Sequence, residues 1–146
     1  MSSLVYLLDT NILSNLISDP HGPVMRRIAA FGEETVCTSI VVAAEMRYGA
    51  EKKGSSKLAA KIDAILNNIE VLPLDIDADR HYGNIRSVLE KQGKTIGPND
   101  LLIAAHARSL GLIVVTDNTR EYERVPDLAV ENWLLPSHPH SDPLSP

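Results

Sequence analysis

Apolar positions along the chain fall into short continuous runs separated by longer stretches with helical spacing. Val5 to Leu8 is an apolar run that ends in Asp9-Thr10-Asn11, the pattern of a buried strand running into a helix start. Ile12, Leu13, Leu16 and Ile17 then recur at helical spacing, and Asp19-Pro20 with Gly22-Pro23 turns the chain. The same reading predicts a short helix over Val24 to Phe31, a strand over Glu34 to Ser39 and a helix over Ile40 to Lys52. Gly54-Ser55-Ser56 breaks the pattern, with Ser56 the expected cap of a helix from Lys57 to Asn67. Ile69 to Leu72 reads as a strand stopped by Pro73, and Asp77 or Asp79 opens a helix that reaches Gln92 and ends at Gly93. A helix from Asn99 to Ser109 ends at Gly111, with Asn99 or Thr95 as its cap. Leu112 to Thr116 is a strand, Asp117 to Arg120 a turn, and Leu128 to Val130 a last edge strand. Short apolar strands alternating with helices predict an α/β fold: one domain over residues 1–135 with a central parallel sheet flanked by helices. In such sheets, sites collect at the carboxyl ends of the strands.

Composition narrows the picture. A chain of 146 residues is the usual size of one domain, and with 44% apolar but only 4% aromatic residues its core must be aliphatic. The segment Pro136 to Pro146 is rich in Pro, Ser and His and is expected to be a disordered tail, with His138 and His140 solvated rather than metal-bound. No run is long enough to span a bilayer, and Met1 to Asp9 carries neither a basic residue nor a cleavage pattern, so neither a membrane nor a signal peptide is expected. The single cysteine, Cys37, lies in an apolar run and reads as a small buried thiol. These features point to the cytoplasm. The formal charge of −5 argues against nucleic-acid binding, unless several acids are metal ligands whose charge a bound cation cancels.

The informative acids are those standing where a solvated acid should not. Asp9 follows an apolar strand, where a helix cap is the ordinary explanation. Glu45 has Val41, Val42, Tyr48 and Gly49 at helical spacing, so it shares an apolar face and needs a partner; an ion pair with Arg47 or Arg86 is the ordinary one. Asp100 has Ile103 and Ala104 one turn on, although an acid in a first turn is also an ordinary dipole partner. Asp117 and Asn118 follow Val114-Val115-Thr116, with Glu121 shortly after, and by themselves form a polar turn. If gathered, these oxygens would suit a hard divalent cation, and with it phosphodiester hydrolysis.

Four motifs, Leu8-Asp9-Thr10-Asn11, Ser39 to Gly49, Ile96 to Ala107 and Leu112 to Tyr122, stand in the order found in the PIN-domain ribonucleases, and in particular resemble the VapC toxins of bacterial toxin–antitoxin pairs. The likeness runs from Leu4 to about Trp133. It implies a parallel α/β PIN-like domain, an acidic pocket holding Mg²⁺ or Mn²⁺, and endonuclease action on structured RNA such as tRNA. It also implies a homodimer neutralised by a VapB-type antitoxin, which alone contacts promoter DNA. Carried over by position, Asp9, Glu45 and Asp100 match three core acids. The fourth falls to Glu121, ahead of Asn118 and Asp117; Asn118 stands where many relatives have Asp. Asn11 and Thr116 match positions that brace the pocket. The expected division is Asp9 and Asp100 as direct ligands, with Glu45 acting through water or a second ion while water attacks in line with the leaving 3′-oxygen.

Arg47, Lys52, Lys53, Arg86, Lys91 and Lys94 are candidates for phosphate contacts, although solvation explains most surface cations. Gly93-Lys94-Thr95 lacks the earlier glycine of a phosphate loop, because Val88 stands there. His106 has no Ser or Cys partner suggested by a motif and reads as structural. A phosphoaspartate-type phosphatase is a weak third class, since Asp9-Thr10-Asn11 lacks its second Asp. The rival reading is a non-catalytic binding domain in which the acids are caps and ion pairs.

Overall fold

The computed structural model describes residues 3–135; the predicted tail lies outside them. The described chain runs β1 (Tyr6–Leu8), α1 (Thr10–Ser18), α2 (Pro23–Phe31), a single 3₁₀ turn (Glu33–Thr35), β2 (Val36–Ser39) and α3 (Ile40–Lys53). There follow α4 (Ser56–Asn68), β3 (Glu70–Leu72), α5 (Ala78–Lys91), α6 (Pro98–Leu110), β4 (Ile113–Val115), α7 (Thr119–Tyr122) and β5 (Val130–Glu131). The strands form one parallel sheet in the order β3-β2-β1-β4-β5. The chain therefore builds outward from β1 on one side, then returns to lay β4 on the other. The crevice at this reversal opens between the carboxyl ends of β1 and β4.

Burial on both faces explains the unbroken apolar strands. Leu7, Leu8, Val114 and Val115 are fully buried, and all of β2 is buried, Cys37 included. Burial and the nearby Glu70 push the Cys37 thiol up to about 12, so it stays protonated and inert at neutral pH. The core is aliphatic, as composition requires. Apart from the buried Tyr122, its aromatic part is one cluster at the start of β1, where Tyr6 stacks on Phe31 at 5.2 Å and meets Trp133 edge-on at 5.0 Å. Trp133 is buried, which pins the chain beyond β5 to the core.

Several boundaries differ from the pattern. Ser55, not Ser56, caps α4: its hydroxyl accepts from Leu58 N at 3.0 Å, while Ser56 is the first helical residue. Neither Asn99 nor Thr95 caps α6; Gly97 holds that position and Pro98 fills the first turn, where a missing N–H costs nothing. Glu34 and Thr35 belong to the 3₁₀ turn rather than to β2, the segment after Asp117 winds into α7, and the last strand falls at Val130–Glu131. Asp77 holds the cap position of α5 without a side-chain bond. Ser55→Ala should cost about 1 kcal/mol of stability and Ser56→Ala a few tenths at most, read from urea unfolding midpoints; equal losses would contradict the cap assignment.

Candidate metal centre at the sheet crevice

Asp9 emerges from the end of β1 into the crevice and is 6% exposed. Its Oδ1 accepts from Thr10 N at 2.7 Å, so the cap explanation holds in part. Its Oδ2 accepts from the Thr116 hydroxyl at 2.9 Å, across the reversal from β4. Thr116 is fully buried, and its Oγ1 also accepts from Asn118 N at 3.0 Å. Two neighbouring hydroxyls finish the strand ends. Thr38 donates to Leu8 O at 2.7 Å, and Ser39 accepts from Val41 N while bonding His106 Nδ1 at 2.8 Å. His106 thus has a serine partner that no motif suggested, buried between α3 and α6. Burial pushes its imidazole down, partly offset by the Pro73 carbonyl and Asp75.

Glu45 is half-buried on α3 and does not use an arginine. Its Oε1 accepts from Thr10 Oγ1 at 2.9 Å and its Oε2 from Asn99 Nδ2 at 3.3 Å. The expected ion-pair partners are engaged elsewhere, Arg47 with Asp63 at 2.6 Å and Arg86 with Glu90 at 3.2 Å. Asp100, half-buried in the first turn of α6, accepts from the buried Tyr122 hydroxyl at 3.0 Å. Glu121 accepts on both oxygens, from Gly97 N at 3.3 Å and Asn118 Nδ2 at 2.6 Å, and so ties α7 to the start of α6. Asp117 lies further out, exposed, and accepts from Asn11 Nδ2 at 2.9 Å.

These carboxylates feel one another. Burial raises Asp9, which Glu45 and Asp117 raise further against the bonds from Thr10 and Thr116. Burial and then Glu121 push Asp100 up to about 7, and Glu121 is held below its ordinary value by its bond to Asp100. Among the described residues their hydrogen-bond donors are hydroxyls, amides and backbone N–H groups, with no lysine or arginine. The negative charge is therefore fixed in place but not neutralised. Such an all-oxygen set fits a hard divalent cation. Among the described residues no group of three or more His, Cys, Asp or Glu side chains is disposed to hold an ion by itself.

Pattern reasoning missed Thr10, Asn99 and Tyr122 as partners of the acids, and Arg124. Arg124 reaches Thr95 O at 3.0 Å and draws the Glu121 carboxyl down. All four lie in or beside the quoted motifs, but nothing in their spacing names a partner. Of the candidate phosphate contacts, Lys52 and Lys53 end α3, Lys91 ends α5 and Lys94 lies in the loop after it, all exposed.

A family model described as the PIN domain matches residues 6–128. The chain is 43% identical over 131 residues to the tRNA(fMet)-specific endonuclease VapC of Shigella flexneri, covering 89% of this chain and 98% of that protein. It is 42% identical over 132 residues to a ribonuclease VapC of Haemophilus influenzae, covering 90% and 99%. Among solved structures it resembles a chain of the DNA-bound VapBC complex of Salmonella typhimurium, with a TM-score of 0.82, 37% identity, and coverage of 89% and 98%.

The carboxylates give the metal-free protein a specific pH response. Folded Asp100 keeps its proton up to about 7 but releases it near its ordinary 3.8 when unfolded. The folded state then binds more protons over that window, so this group removes stability as pH rises through it. Glu121 acts in the opposite sense, but only below its ordinary 4.5. In EDTA, Asp100→Asn should therefore gain stability relative to the parent as pH rises from about 5 to 7. His106 is common to both proteins and cancels. Parallel stability curves would place the titration elsewhere.

Proposed function

The chain belongs to the PIN-domain family and, within it, to the VapC ribonucleases, and from that premise we propose a metal-dependent endoribonuclease, the toxin of a toxin–antitoxin pair, that cuts structured RNA such as tRNA and so blocks translation. The observation that carries this reading is the gathering of Asp9, Glu45, Asp100 and Glu121 from four elements, hydrogen-bonded among the described residues by neutral donors, with Asp9 raised by Glu45 and Asp100 raised by Glu121 and Asp9 through their charges. Such repulsion destabilises the fold, and a cation would relieve it.

On this reading Asp9 and Asp100 hold Mg²⁺ or Mn²⁺, with Glu45 acting through water. Bound there, the ion would supply an activated water and stabilise charge on the transferring phosphoryl group. The chain's own contribution is placement. Thr10 and Thr116 fix Asp9 across the β1–β4 crevice, Thr10 and Asn99 fix Glu45, and Tyr122 fixes Asp100. Asn118 spends its amide N–H on Glu121 and keeps its carbonyl oxygen as a possible uncharged ligand, while Asn11 braces Asp117. The non-catalytic rival is not favoured, because the arginines that should pair its acids lie elsewhere.

The partners follow the same reading: a VapB-type antitoxin, a second copy of the chain, and promoter DNA through the antitoxin alone. The Salmonella typhimurium neighbour is a DNA-bound VapBC complex, which supports an antitoxin partner and a DNA-bound assembly. An apolar groove of about 270 Å³ bordered by Leu16, Met25, Ile28 and Ile65 supports a protein partner. No helix among the described residues is long and apolar enough to cross a membrane.

The test is RNA cleavage. Antitoxin-free protein should cut total bacterial RNA into discrete fragments with Mg²⁺ or Mn²⁺ and not in EDTA. Asp9→Asn and Asp100→Asn should lose more than about a hundredfold in rate while melting as cooperatively as the parent. Mn²⁺ should also raise the melting temperature of the parent more than that of either variant. A fully active Asp100→Asn protein would remove the mechanism.

A further inference from the structure

The segment that closes the acidic pocket has a second side. Gly97 N and Asn99 face the carboxylates, but Thr95, Ile96 and Pro98 face α5 across a groove of about 220 Å³. Asp100 and Leu101 are neighbours on α6; the first belongs to the acidic site, the second to the groove. We propose that this groove takes one unpaired guanine of the RNA substrate, beside the bond that is cut. The proposal rests on the nuclease reading.

Shape comes first. The floor is apolar, from the buried Leu89, Ile96 and Leu101, and Tyr82 stands in the wall. An apolar floor with an aromatic wall suits the face of an unstacked base, which is how single-stranded RNA is commonly read. Polar groups come second. Tyr82, Arg86 and Glu90 repeat every four residues on one face of α5. Arg86 Nη1 donates to the Tyr82 hydroxyl at 3.0 Å and Nε to Glu90 at 3.2 Å. The guanidinium is thus held in orientation, and those bonds leave Nη2 unused. The second Nη1 hydrogen and the adjacent Nη2 hydrogen form the end-on fork that matches the paired acceptors of guanine, O6 and N7. Charge decides between a base and a phosphate. The Arg86–Glu90 pair leaves the groove wall formally neutral, and a carboxylate there repels a phosphate but not a base. Arg86 therefore reads sequence rather than backbone.

The test uses the parent protein with Ca²⁺ in place of Mg²⁺ or Mn²⁺, so that an oxygen-ligated cation fills the acidic site while hydrolysis is slow enough for binding to be read. Fluorescence anisotropy is measured with oligouridine, and with the same oligomer carrying one central guanine or one adenine. The guanine oligomer should bind about tenfold tighter than oligouridine and more tightly than the adenine oligomer. Arg86→Lys keeps the charge and loses the fork, so the guanine preference should fall to within about twofold while oligouridine affinity holds. Equal affinity for all three oligomers would overturn the proposal. So would a preference that survives Arg86→Lys, or an Arg86→Ala change that weakens all three equally, the mark of a phosphate contact. Cleavage of total RNA by the parent, assayed alongside, separates the two readings. Cleavage without a guanine preference removes the groove alone; neither cleavage nor RNA binding removes the nuclease reading as well.

Discussion

The Asp9 carboxylate is nearly sealed from water at the end of the central strand, and its two oxygens are satisfied by Thr10 N and the Thr116 hydroxyl. An ionised carboxyl in that position is costly unless bonded, and here the bonds come from both sides of the sheet reversal. Thr116 can donate only because β4 pairs with β1 in register, Leu8 opposite Val115. Thr10 then turns its own hydroxyl to Glu45, and Asn99 carries the connection from Glu45 to α6. Each acid is thereby located relative to Asp9 by a neutral donor. Replacing those donors with lysine or arginine would neutralise the charge permanently. Neutral donors hold geometry and leave the charge available, which is what separates a binding site for a cation from a buried ion pair.

How much of this is legible beforehand depends on whether the signal is local. Strands buried on both faces show as apolar runs, and helices show as periodicity, so every strand and long helix is visible in the chain. The ends are not. Ser55 and Ser56 are the same residue type side by side, and only the position of Leu58 N selects the first. Glu34 and Thr35 carry no feature that separates a 3₁₀ turn from the start of β2. Glu45 stands out because a carboxylate interrupts an apolar face, and that argument needs one helix only. Its donors lie 35 and 54 residues away in sequence, and periodicity names faces, not partners. The Ser39–His106 bond, spanning 67 residues, was invisible for the same reason.

The few aromatic residues show the same economy. Tyr6, Phe31 and Trp133 gather at the start of the sheet, opposite the acidic end. The fully buried Tyr122 goes instead to Asp100, and Tyr82 to the wall of the groove. A phenol suits the carboxylate because its body fills core volume while its hydroxyl supplies one donor without charge. Burial, reinforced by proximity to Asp9 and Asp100, pushes its acidity far down, so the donor is never lost near neutral pH.

The formal charge of −5 is the strongest objection to an RNA ligand, and the arrangement of the acids answers part of it. A net charge governs the field at a distance, whereas catalysis depends on the field where the phosphate sits. In the metal-free protein that local field is strongly negative, and it should turn RNA away. A divalent cation between Asp9 and Asp100 would reverse the balance at the one place where the scissile phosphate must approach. Acidic surroundings then become part of the selectivity: RNA held only by diffuse positive charge finds little to grip, and an RNA that also seats a neutral base beside the pocket gains a contact that charge repulsion does not oppose. The same carboxylates that weaken general RNA binding would thus confine it to molecules able to present both a phosphate and an exposed base.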